Sequence, residues 1–402
     1  MSKDYSEIKK CLCCYSSIEE VISLGDQPLA NDFHRKGEIT TAYPLNLMYC
    51  KKCFHCQLSR SVNPSILFKN YKYVSGTSDT GNKFFKENCD YIHTLKGKPG
   101  KILDIACNDG SQLNFFRDLG WDTYGVDPAE NICPIAEKQG HKVFCDFWKP
   151  EIAKLLPKMD VITAQNVFAH TIYVDDFLDT CKMVMGENTS LFIQTSQRDM
   201  ILNGEFDTIY HEHISFYNTT SMKTLVERHG LSLVKISEHS IHGRSYIFEI
   251  KLGPCVLSKN VEYTLKLEED LGLYNKDTYC KFRMNTERSI KNLKSKIQEF
   301  KEKGFKIIGF GAAAKGQTLL CYGNVIVDYI IDENPLKIDL YSPKFNIPIV
   351  SLDHFKKDTH DNFLVIILAW NFAEEIKNKL SINKGSKNIS IIEKYFPNII
   401  MS

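Results

Sequence analysis

The residues best suited to moving a proton stand together as Tyr210-His211-Glu212-His213, inside a run of largely apolar residues from Phe206 to Tyr217. Two imidazoles, a carboxylate and a phenol on consecutive positions make a poor core and a workable acid–base site. A histidine is neutral near pH 7 and accepts a proton, a phenol donates to an oxyanion, and a carboxylate orients an imidazole. Removing a proton from carbon beside a ketone needs this set: a neutral base and a donor for the oxygen that becomes charged. On an extended segment His211 and His213 share one face and Glu212 takes the other, a pattern that also presents a metal pair or a structural histidine pair.

The cysteines offer a second chemistry. Cys11 and Cys14, then Cys50 and Cys53, form two Cys-x-x-Cys pairs. Each pair can set two thiolates on one side of a tight turn, and two pairs complete the tetrahedral sulfur shell that zinc favours. Such a shell is closed, which makes the site structural; Cys13 and Cys56 are near enough to be rival ligands. There are 14 cysteines in 402 residues, and the N-terminus lacks the apolar core of a signal peptide, so thiols and a metal are expected rather than a disulfide framework.

The proton-moving residues need a scaffold, and the pattern upstream of them is α/β. Lys101 to Cys107 reads as a strand, Asn108, Asp109 and Gly110 as a turn tolerant of positive φ, and Ser111 to Leu119 as a helix with Ser111 placed to cap it. Further strands are expected over Asp122–Val126 (ending at Asp127), Lys142–Cys145 (before Asp146), Met159–Ala164 (running into Gln165, Asn166 and later His170) and Ser190–Gln194. Strands alternating with helices make a parallel sheet, with the ligand at the carboxyl ends of the strands. Asp104, Asn108, Asp109, Gly110, Asp127, Asp146 and Asn166 are the candidates there. A pyrophosphate would need the Gly-x-Gly-x-x-Gly approach of backbone to anion, whereas this turn has one glycine and an acid. S-adenosylmethionine carries a sulfonium and an ammonium but no phosphate, and Asp104, Asp109 and Asp127 suit it.

A mostly helical stretch from Val256 to Lys303 leads to a second α/β pattern. Lys306 to Gly311 is a strand, Ala312 to Ala314 a small-residue turn, and Lys315 stands at a helix start, where backbone N–H groups and a cation suit phosphate. Asp332 ends the next strand, at the place of a ribose-binding acid, and Lys337 follows. The glycine spacing alone also allows a nicotinamide nucleotide.

Lys and Arg total 50 against 49 Asp and Glu, so no charge field invites nucleic acid or an acidic membrane. The most apolar run, Phe363 to Trp370, is far too short to span a bilayer. A soluble, cytoplasmic protein with a small-molecule partner is expected.

The Cys-x-x-Cys pairs around Leu24 to Asn31, the Asp104 to Ser111 turn, Tyr210 to Phe216, and Gly311 to Gly316 together resemble the sugar C-methyltransferases, which methylate nucleotide-linked keto-deoxysugars. The resemblance runs through the whole chain in order. It implies a zinc-binding domain over 1–70, a central Rossmann-like methyltransferase domain over 71–253 and a C-terminal Rossmann-like domain over 254–402, sharing one cleft. It also implies His213 as general base, Tyr210 and Glu212 as assistants, and further site residues at His170, Tyr71 and Tyr73. By the same resemblance Lys315 and Lys337, with Asp332, form the handle for the sugar's nucleotide diphosphate. Two departures stand out: Arg244 occupies the place of a usual turn glycine, and Ile247 that of a frequent arginine. A sugar O- or N-methyltransferase, which needs no enolate donor, and an inactive zinc-containing binding scaffold are the rival readings.

Overall fold

Runs of aliphatic residues between Lys101 and Leu252 form a seven-stranded sheet in the computed structural model, which describes residues 4–68, 74–77, 79–196 and 199–402. Tyr71 and Tyr73 lie outside the described residues. The chain divides into two compact units, one of residues 1–19, 49–198 and 214–274, the other of 20–48, 199–213 and 275–402.

In the first unit the strands are β1 (Lys101–Ile105), β2 (Asp122–Asp127), β3 (Lys142–Cys145), β4 (Met159–Gln165), β5 (Met185–Ser196), β6 (Leu231–His239) and β7 (Ser245–Leu252), in the order β6-β7-β5-β4-β1-β2-β3. The strands β1 to β5 run parallel, and β7 is antiparallel to both β5 and β6. The order reverses at β1, between β2 and β4, so the crevice at their carboxyl ends is the topological switch point where such sheets take a ligand. Alternation along the strands fills both faces. Ile102, Val161 and Phe192 pack with Cys89 and Ile92 of α1 (Asp79–Lys96) and with Leu113 and Phe116 of α2 (Ser111–Asp118). On the other face Leu103, Ile105, Ile162 and Ala164 pack with Met222 and Leu225 of α3 (Thr219–Arg228). A reciprocal cap starts α3: Asn218 Oδ1 accepts from Ser221 N at 2.7 Å, and Ser221 Oγ accepts from Asn218 N at 3.0 Å.

Ser111 does not cap α2. The N-cap is Gly110, at φ 81°, and Ser111 is the first helical residue; its N–H goes to Asp109 Oδ1 at 3.2 Å. The helical stretch after Val256 is two helices, Lys259–Asp270 and Lys276–Glu302, separated around Gly272 at φ 78°.

The second unit is built on β8 (Lys306–Phe310), β9 (Ile330–Ile331), β10 (Ile349–Val350), β11 (Asn362–Ile367), β12 (Asn388–Lys394) and β13 (Ile400–Met401), in the order β10-β9-β8-β11-β12-β13. All neighbours are parallel except β13 against β12. Helix α4 (Ala314–Gly323) follows β8. Residues 199–213, which follow β5 in sequence, belong to this second unit. Among the described residues no helix is long and apolar enough to cross a membrane.

Candidate active site

The two cysteine pairs are built alike. In each, the first cysteine's carbonyl accepts from the residue four positions on, Tyr15 N to Cys11 O and Phe54 N to Cys50 O, both at 2.9 Å. Those two residues take left-handed backbone, φ 60° at Tyr15 and 56° at Phe54, which folds each turn back on itself. The Sγ atoms of Cys11, Cys14, Cys50 and Cys53 all lie within 4.8 Å of one another, with Cys11 to Cys53 at 3.5 Å and Cys14 to Cys50 at 3.4 Å. Zinc–sulfur bonds of about 2.3 Å in a tetrahedron put sulfurs about 3.8 Å apart, so the cluster fits zinc and closes its shell. Cys13 and Cys56 are buried but outside the group.

At the switch point of the first sheet the acids are fastened by backbone. Asp127 Oδ2 accepts from Asn108 N at 2.9 Å and Oδ1 from Ala129 N at 2.8 Å, while burial raises its carboxyl. Asp104 is 3% exposed and accepts from Thr163 Oγ1 at 2.7 Å; burial pushes its carboxyl up to about 7. Asp109 Oδ2 accepts from Gly76 N at 3.0 Å, and Asn108 Oδ1 accepts from Ser75 N at 2.9 Å, so the short segment before α1 lies over the turn. A Cβ at Gly76 would meet Ser111 Oγ and Asp109 Oδ2, so any larger residue there displaces those side-chain ends. Asn166 has φ 50° and accepts from Ser196 Oγ at 3.0 Å, at the end of β4; Asp146 follows β3 and pairs with Lys149. Asp104, Asn108, Asp109, Gly110 and Asp127 therefore surround one turn, with Asp146 and Asn166 beyond the ends of neighbouring strands. Carboxylates at this turn fit a cationic nucleoside without phosphate.

In the second unit Tyr210 to His213 form a turn, with His213 N bonded to Tyr210 O at 2.9 Å. The expected shared face of His211 and His213 is absent because the segment is not extended. His213 is 2% exposed, and its Nδ1 is 2.9 Å from the Thr208 carbonyl. A carbonyl only accepts, so Nδ1 carries the proton and Nε2 of the neutral ring holds the lone pair. The Tyr210 hydroxyl donates to that Nε2 at 2.8 Å, with ring centroids 4.0 Å apart. Glu212 Oε1 accepts from Asn31 Nδ2 at 2.6 Å. His211 Nε2 donates to the Tyr43 carbonyl at 3.1 Å, and burial pushes this imidazole down to about 4, so it is neutral. His170 belongs to the first unit, in the short helix Phe168–His170 after β4, and stacks on Phe68 with centroids 5.8 Å apart.

The turn after β8 repeats the device found at Asp127. Asp332 Oδ2 accepts from Ala312 N at 2.6 Å and Oδ1 from Asn334 N at 2.8 Å. Lys337 Nζ donates to the Ala312 carbonyl at 2.8 Å, and Lys315 Nζ lies 4.2 Å from the centroid of the Trp370 ring. Asn31 and Thr208 are the site residues that sequence reading missed. Neither carries a local signal, since one acts from 181 positions away and the other through its carbonyl.

Three family profiles match in chain order: a zinc binding domain over residues 11–68, a methyltransferase domain over 81–236 and a C-methyltransferase C-terminal domain over 241–392. C-methyltransferase NovU of Streptomyces niveus is 26% identical over 389 residues, covering 92% of this chain and 91% of NovU. The chain belongs to the S-adenosylmethionine-dependent C-methyltransferases. About a third of the chain is also similar to the human mitochondrial ubiquinone biosynthesis O-methyltransferase, 26% identical over 162 residues, 34% of this C-methyltransferase and 43% of the human protein. A looser likeness, TM-score 0.34 at 13% identity over 43% of this chain and 79% of the other, is to the solved magnesium protoporphyrin IX methyltransferase of Synechocystis PCC 6803 with bound SAM. The cofactor of this C-methyltransferase is S-adenosylmethionine, and zinc is its structural metal.

Proposed function

We propose that this C-methyltransferase methylates a carbon beside the ketone of a nucleotide-diphospho-keto-deoxysugar, with His213 as the base. The observation that carries the reading is the His213 tautomer. Nδ1–H is committed to the Thr208 carbonyl, so Nε2 is the nitrogen that takes a proton, and Tyr210 sits on it at 2.8 Å. In the reaction Nε2 removes the proton from the substrate carbon. The Tyr210 hydroxyl, released from Nε2, donates to the oxygen that gains charge as the enolate forms. Glu212, held by Asn31, fixes the turn that carries both; His170 and Tyr73 are the further donors assigned to the oxyanion, and Tyr71 a sugar contact.

S-adenosylmethionine, when bound at Asp104, Asn108, Asp109, Gly110, Asp127, Asp146 and Asn166, supplies a methyl group to a carbon nucleophile. The nucleotide diphosphate is assigned to the amino end of α4, with Asp332 and Lys337 around that turn; the charge of Lys315 at the same helix start is answered within the protein by Asp207 and Glu205. In this reading residues 1–70 hold zinc, 71–253 the methyl donor and 254–402 the sugar nucleotide, and the enzyme works in the cytoplasm.

The test omits the methyl donor. A panel of nucleotide-linked keto-deoxysugars is incubated with the protein in heavy water, and deuterium uptake beside the ketone is followed by mass spectrometry. Uptake that disappears in His213→Asn is expected. No uptake, together with methyl transfer to oxygen or nitrogen when donor is added, would replace this reading with heteroatom methylation.

A further inference from the structure

Lys315 sits among groups of its own unit that already answer its charge. Its Nζ is buried and has no hydrogen-bond partner among the described residues, and it faces the Trp370 ring at 4.2 Å. The same indole donates Nε1–H to Asp207 Oδ2 at 2.7 Å, and the Tyr395 hydroxyl donates to that oxygen at 2.5 Å. Asp207 is 0% exposed, and its Oδ1 has no partner among the described residues. Burial pushes the Lys315 ammonium down, while the carboxylates of Asp207 and Glu205 favour its charged form. A buried carboxylate keeps its charge where hydrogen bonds and a nearby cation offset the lost hydration; burial raises the Asp207 carboxyl, and the Lys315 charge with the Tyr395 and Trp370 hydrogen bonds opposes that.

The topology gives the cluster its meaning. Lys315 starts α4 after β8, Trp370 follows β11, and Tyr395 follows β12; these strands are neighbours, and the three residues lie at their carboxyl ends. In an open α/β sheet that crevice takes the ligand. Here part of it is taken by the chain's own segment through Asp207. Thr318 of α4 adds a bond from Oγ1 to the Ile209 carbonyl at 3.2 Å. Between Asp207 and Ile209 stands Thr208, whose carbonyl accepts the His213 Nδ1 proton.

We propose that Lys315 is a positioning residue for the base: set over Trp370, its charge holds Asp207 in the crevice, and Asp207 seats the Thr208 carbonyl that fixes the His213 tautomer. The kinetic part of this inference rests on His213 being the base; the structural part does not.

The test compares the full-length parent with Lys315→Met, Asp207→Asn and the double variant, each labelled with ¹⁵N-histidine. The His213 ring signals are identified by their loss in His213→Asn. Lys315→Met is expected to move those signals and to lower kcat about 100-fold, with KM for the accepted sugar nucleotide changed less than about threefold. In the double variant no acid at 207 requires a cation, so the His213 signals return and kcat recovers to within about tenfold of the parent. Unmoved His213 signals with a raised KM and intact kcat would overturn the proposal and make Lys315 an anion contact. A double variant as impaired as Lys315→Met would overturn it too, by showing a packing loss without charge coupling. If the parent accepts no member of the sugar-nucleotide panel, the substrate reading fails, and the His213 signals still decide the role of Lys315.

Discussion

Tyr210 aims its hydroxyl at the one nitrogen of His213 left open to a proton, Oη to Nε2 at 2.8 Å, while the Thr208 carbonyl holds the other at 2.9 Å. With Nδ1–H on that carbonyl, Nε2 is the accepting nitrogen of the ring, and the Tyr210 hydroxyl stands on it. The proposed base and oxyanion donor, three residues apart on one turn, are held in mutual register by that turn's own bond, His213 N to Tyr210 O.

His213→Asn is expected to lower kcat by about 10³-fold or more, because the general base is lost. Asparagine retains a hydrogen-bonding group, so calorimetric affinity for S-adenosylmethionine should stay within about threefold of the parent. Weakened donor binding with unchanged single-turnover chemistry would remove His213 from the base role.

Replacing Cys11, Cys14, Cys50 or Cys53 by serine is expected to abolish stoichiometric zinc, read by elemental analysis, and to broaden or lower the thermal transition, since structural zinc contributes directly to folding. Cys13→Ser and Cys56→Ser are expected to keep the metal. Zinc retained by the first set and lost by the second would reassign the ligands.

Asp104 gives a pH signature. Its carboxyl is raised by burial to about 7, against about 3.9 in an unfolded chain. The protonated form is thus favoured by folding, and the stability it contributes is complete below the unfolded value and lost as pH rises through about 7. Asp104→Asn keeps an acceptor for Thr163 and removes the charge. It should melt higher than the parent by about 2 °C or more near pH 8, with the difference closing toward pH 4. A difference that is independent of pH would mean that Asp104 does not bind a proton on folding.

The zinc cysteines and the acid-lined turn at Asp109 were legible because their signals are local. Cysteines three apart define a knuckle by spacing, and an acid-lined turn with one glycine declares what it repels. The strand Lys142–Cys145 ends where pattern and breakers place it, and Met159–Gln165 ends within one residue of the expected end. The second half of the chain was harder. Val327 to Asp332 reads as a full strand, yet the regular strand is Ile330–Ile331, with Asp328 N and Asp332 N bonded beyond its ends to the Ile307 and Val350 carbonyls. Likewise His211 resembles His213 in sequence and parts from it only through tertiary contacts, one ring bonded to Tyr43 and the other to Thr208. Asn31, Asp207 and Trp370 gave no sign of their roles, since each acts on a residue distant in the chain or buried by it.

The membership of residues 199–213 in the second unit sets rules for recombining this enzyme with a relative. The partners of that segment described above, Asn31, Tyr43, Lys315, Thr318, Trp370 and Tyr395, all belong to the same unit. A chimera joined at a single crossover near residue 275 would therefore separate Asp207 and Ile209 from the side chains of Thr318, Trp370 and Tyr395. An exchange that preserves those contacts moves 20–48, 199–213 and 275–402 as one cassette, which makes the proposed proton-handling module discontinuous in the gene and continuous only in the folded protein.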